Sequence, residues 1–95
     1  MDITETNRRN ERADYFRKTV YSVSKEKVTQ CEYLAKYLKM FGSITPIEAL
    51  NAFGCFRLGA RVSDLRADGF NIRTDINKGK NAKRYAIYRW EENNV

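Results

Sequence analysis

Histidine is absent from this chain of 95 residues, proline occurs once, cysteine twice, and no stretch stays apolar for long. Without histidine the chain lacks the side chain that most often does acid–base work near neutral pH and most often ligates metals. Two thiols, Cys31 and Cys55, cannot build a structural zinc site without other ligands. Cys31 falls on the apolar stripe of a helix and Cys55 stands beside a turn glycine. Both read as small core residues rather than as a disulfide or a nucleophile. The sequence shows no phosphate-cradling glycine loop and no nucleophile with a plausible base, so the expectation is a non-enzyme without metal or cofactor. No run approaches the roughly 20 apolar residues that cross a bilayer. The opening MDITETNRRNERADYF lacks the apolar centre of a signal peptide. A cytoplasmic protein with no membrane partner is expected.

Positive charge is what the chain has in excess. Eighteen Lys and Arg against twelve Asp and Glu leave a net charge of +6 and a pI near 9.5, which favours an anionic partner. Hydrophobic content of 42% and aromatic content of 13% suffice for one domain with a modest core. Residues 1–24 are nearly balanced, with Arg8, Arg9, Arg12, Arg17 and Lys18 against Asp2, Glu5, Glu11 and Asp14. The excess therefore lies in residues 25–95, where thirteen cations meet eight acids.

The expected organisation is an N-terminal arm over 1–24, a compact domain over 25–91 and a polar tail over 92–95. Neither Gly nor Pro interrupts the arm, and Ala13, Phe16 and Val20 recur at helical spacing with Tyr21 beside them. That narrow stripe predicts a helix that packs on the domain or on a partner. From Lys25 to Phe41 the apolar positions Val28, Cys31, Leu34, Ala35, Leu38 and Phe41 share one face. They predict a helix capped by Ser24 and stopped at Gly42. Tyr33 and Tyr37 lie outside that stripe, and read as packing under the arm or as a dimer face. Ser43 and Ile44 make a short extended link. Thr45-Pro46-Ile47-Glu48 predicts a capping box with proline at the first helical position. Ile47, Leu50 and Phe53 are expected to face the core, and Gly54 ends the helix.

A further helix is expected from about Phe56 to Asp68, buried through Leu58, Val62 and Leu65 and stopped at Gly69. Its outward positions Gly59, Ala60, Ser63, Asp64 and Ala67 are small or polar, a surface suited to close approach. Arg57 lies on that side and Arg61 at its boundary. Arginine bidentate to guanine is the commonest specific base contact in DNA recognition, so Arg57, Arg61 and Ser63 are candidate DNA contacts. An Arg61–Asp64 surface pair is the plainer alternative. Arg66 lies beside the core stripe and reads as packing its stem or pairing with an acid. After Gly69 the period becomes two: Phe70, Ile72 and Thr74 alternate with polar residues, then Tyr85, Ile87 and Arg89 with Ala86, Tyr88 and Trp90. These are strands. Their connection INKGKNAKR carries Lys78, Lys80, Lys83 and Arg84, with no acid between Ile76 and Trp90. Four cations on a hairpin tip are relieved by phosphates, although lysines also guard a solvated sheet edge.

From about Val28 to Arg89 the chain resembles small winged-helix domains common in bacteriophage and prophage genomes. The resemblance rests on GSITPIEAL, on FRLGARVSDLR, on Gly69 and Ile72, and on the terminal strand RYAIY. It implies an α+β winged helix-turn-helix of three helices and a two-stranded wing, with the arm outside the match. It also implies a DNA-binding role. The function expected first is a phage- or prophage-encoded transcription regulator bound to double-stranded DNA in the bacterial host cytoplasm, and next a recombination or replication accessory. Family members often carry a bulkier residue where Gly59 stands. A specific operator would call for a homodimer. A different class of function is also compatible: a phage protein using the same basic surface, plus the arm, to bind and inhibit a host protein such as a nucleic-acid-guided defence complex. The arm discriminates the two readings, being dispensable for DNA binding but required for a protein complex.

Overall fold

The computed structural model describes residues 3–24, 27–78 and 84–91, with the backbone alone for 3–6 and 78. The arm is helical. Helix α1 runs Ile3–Phe16 and passes into a π-helical turn over Arg17–Tyr21. Helix α2 follows at Gln30–Phe41, and strand β1 at Ser43–Ile44. Helices α3 (Pro46–Phe53) and α4 (Leu58–Ala67) come next, then strands β2 (Ile72–Lys78) and β3 (Arg84–Trp90). This is the expected α+β order, with one strand more than anticipated. The extended link Ser43–Ile44 pairs antiparallel with β3, Ser43 opposite Arg89 and Ile44 opposite Tyr88. The sheet order is β1-β3-β2.

Helix α2 starts later than expected. Its cap is Thr29, whose hydroxyl accepts the Glu32 N–H at 3.2 Å. Ser24 does not cap it, because its hydroxyl donates to the Val20 carbonyl at 2.7 Å and so finishes the preceding helical segment. Gly42 stops α2 as expected, at φ 82°, with its N–H on Leu38 O.

The core forms where α1 lies across α2 and α3. Phe16 is fully buried, its ring centroid 5.1 Å from Tyr37, 5.8 Å from Phe53 and 6.2 Å from Tyr33. The two tyrosines off the α2 stripe thus pack under the arm. Helix α3 is turned from its expected phase: Glu48, Ala49, Ala52 and Phe53 face inward, while Ile47 is 68% exposed and Leu50 is also exposed. The alanines let α1 approach closely, and Glu48 is drawn inward by cations from α1.

That carboxylate, 1% exposed, is the polar centre of the fold. Oε1 accepts from Arg9 Nη1 at 2.6 Å and from the Thr45 N–H at 3.2 Å. Oε2 accepts from Arg12 Nη2 at 2.9 Å and from the Tyr37 hydroxyl at 2.5 Å. Glu48 N–H returns to Thr45 Oγ1, completing the capping box. Arg12 also donates to Ser43 O at 2.8 Å and lies over the Phe41 ring at 5.1 Å. One glutamate therefore starts α3 and clamps α1 to it.

Burial, and then donation to Glu48, push the Tyr37 phenol well above its ordinary value of 10. The folded chain holds this proton more tightly than the unfolded chain does. Its stabilisation is complete below pH 10 and fades as the pH rises beyond it, where the unfolded chain ionises first. Tyr37→Phe should cost about 1–3 kcal/mol near neutral pH by leaving a buried acceptor short of a donor. The gap in melting temperature between the two proteins should narrow above pH 10. A constant gap would show that Tyr37 titrates normally.

Candidate nucleic-acid interface

Helices α3 and α4 are joined by a tight turn. Gly54 takes φ 68° and donates to Leu50 O, and Cys55 N–H donates to Ala49 O. Cys55 is buried, and burial raises its thiol pKa, as suits an inert core residue. The α4 start is built differently from that of α3. Its N-cap is Arg57, which makes no side-chain capping bond. Phe56, just before the cap, would ordinarily fold back on the fourth helical residue, but that residue is Arg61 and Phe56 is 86% exposed.

Leu58, Val62 and Leu65 bury one side of α4 as expected, and Gly59, Ala60, Ser63, Asp64 and Ala67 are exposed. A Cβ at Gly59 would lie 3.4 Å from Tyr88 Oη, an ordinary contact, so this position points towards the sheet and would accept a methyl group. Arg57 is exposed. Arg61 is half-buried, its Nε 3.2 Å from Asp64 Oδ2 in an ion pair without hydrogen-bond alignment. Arg66 pairs with no acid among the described residues. Its Nε and Nη2 donate to Ile72 O at 3.0 and 2.6 Å, and Nη2 donates to Thr74 Oγ1 at 2.7 Å. It therefore ties α4 to the first strand of the hairpin.

The hairpin pairs from Ile72 opposite Trp90 to Lys78 opposite Arg84. Arg84 is exposed at its outer end. The Lys78 backbone lies in β2, while Lys80 and Lys83 fall outside the described residues. Nearer the body, the Asp75 carboxylate accepts from Arg89 Nε at 2.5 Å and lies 3.2 Å from Arg73 Nε. The hydrogen bond from Arg89 leads in holding its pKa below the ordinary value. The cations near the body are thus partly neutralised, whereas the sequence between Ile76 and Trp90, which holds those of the tip, contains no acid.

Two features escaped the reading of the sequence. The Arg9–Glu48–Arg12 cluster joins residues more than thirty positions apart, which no local pattern reveals. Phe56 had a usable signal, an aromatic residue before a helix whose fourth position is charged. Residues 29–92 match a family model described as a winged helix-turn-helix domain. No curated protein and no solved structure matches the chain. No helix among the described residues is long and apolar enough to cross a membrane.

Proposed function

We propose that this chain, which belongs to the winged helix-turn-helix domain family, is a DNA-binding regulator of transcription that lays α4 in the major groove and its wing on the flanking backbone. The observation that carries the reading is the α4 surface itself. Ala60, Ser63 and Ala67 are exposed and small, so the helix can approach base edges without a steric barrier. Arg57, Arg61 and Ser63 are the side chains that reach bases or phosphates from α4. Lys78, Lys80, Lys83 and Arg84 supply phosphate contacts from the wing. Arg61 reaches DNA by exchanging Asp64 for a phosphate, a small loss for a half-exposed pair. One short helix specifies little DNA, so two copies are expected on a two-fold operator.

Fluorescence anisotropy tests this with a random-sequence duplex and fragments from upstream of the protein's own gene. About 4–6 phosphate contacts give a slope of log affinity against log salt near −4 to −5. Salt-steep binding to both, tighter on an upstream fragment, supports a regulator. Absence of binding at low salt would sink the DNA-binding reading.

A further inference from the structure

We propose that Phe56 is a thymine reader: its ring packs on thymine 5-methyl groups in the major groove at the entrance to α4. The inference rests on the DNA-binding reading above and names the base it recognises. Phe56 is the most exposed of the large hydrophobic side chains among the described residues, at 86%. It has no folding duty at its position, because Arg61 stands where an apolar staple partner would be. Exposure of a single ring is ordinary; what singles this one out is its place at the entrance to α4, directly before Arg57.

Charge identifies the contact. From Ala49 to Ser63 the sequence holds Arg57 and Arg61 and no acid. Phe56 directly precedes Arg57, which is exposed. An apolar ring bordered by an arginine suits a polyanion whose apolar groups lie between phosphates. In the major groove the thymine methyl is the one apolar group on a base edge, and phenylalanine is among the side chains that meet it. The N-terminal residues of a recognition helix are those that reach base edges. Arg57 then takes the adjacent phosphate.

The test compares a short duplex of alternating A·T pairs with the same duplex carrying deoxyuridine for thymidine, which removes only the methyls. Wild-type protein should bind the deoxyuridine duplex about four-fold more weakly for each methyl it buries. Phe56→Ala should bind the two duplexes equally, and Phe56→Leu should keep part of the preference. Circular dichroism and melting should show both variants folded like wild type, as expected of so exposed a residue. The same preference in wild type and Phe56→Ala would overturn the inference while leaving the DNA-binding reading intact. Loss of fold in Phe56→Ala, or a wild-type dimer that this variant dissolves, would equally overturn it by giving the ring a packing role. Absence of wild-type binding to either duplex would instead bring down the DNA-binding reading on which it rests.

Discussion

Glu48→Ala should destabilise the protein by about 3–5 kcal/mol, the usual result of removing one member of a buried charge cluster. For a domain of this size that lowers the melting temperature by roughly 15–30 °C. Glu48 is 1% exposed and Arg9 7%, so the substitution leaves a buried guanidinium without its carboxylate. Arg12 loses the same partner, Tyr37 its acceptor, and the Thr45 N–H its half of the capping box. Glu48→Gln should cost less, because the amide oxygen can still accept one or two of these bonds. A combined replacement, Arg9→Met, Arg12→Leu, Glu48→Leu and Tyr37→Phe, should recover much of the loss, since no charge remains to be buried. On this view the cluster specifies how α1 docks more than it adds net stability. Denaturant unfolding of the three variants beside wild type measures the contrast. A loss below about 1 kcal/mol in Glu48→Ala would mean that the cluster behaves like a solvated surface pair.

Local chemistry was legible in the sequence, and long-range chemistry was not. Thr45-Pro46-Ile47-Glu48 carries its own capping partners within four residues, and the structure forms that box. Gly42, Gly54 and Gly69 all take positive φ at the helix ends or turns where they were expected. The hairpin was legible from its period of two. What failed was the phase of α3. Ile47 and Leu50 are more apolar than Ala49 and Ala52, so composition alone points the wrong side inward. The choice is made by α1, whose Arg9 and Arg12 hold Glu48 inside. The third strand failed for a related reason. Two residues, Ser43 and Ile44, show no alternation, and only their pairing with β3 makes them a strand. Arg66 was expected to find an acid or lie on its stem, yet it satisfies the carbonyl of Ile72, a partner set by the turn at Gly69. Of the expected DNA contacts, Arg57, Ser63 and Arg84 are exposed and Arg61 is half-buried.

Phe16→Ala should cost about 3–5 kcal/mol, as expected for emptying a fully buried aromatic site. The ring contacts Tyr33, Tyr37 and Phe53, so it joins α1 to both α2 and α3, and its loss opens a cavity between all three. The cost bears on how the arm can be studied. Deleting residues 1–22 would separate DNA binding from contact with a partner protein only if the rest of the chain folded without them. The deletion, however, also removes Ala13 and Phe16 from the core and strips Glu48 of both arginines. It should abolish cooperative unfolding of the remaining chain, seen as loss of a sharp thermal transition in circular dichroism. DNA binding would then vanish for lack of a folded α4, whatever α1 does on its own account. Retention of a sharp transition by the truncated chain would show that α1 is an appendage. A role for the arm in meeting another protein is better tested on its outer face, where Tyr15 is exposed. Tyr15→Ala should leave the unfolding free energy within about 0.5 kcal/mol of wild type, and any loss of partner binding can then be assigned to the surface.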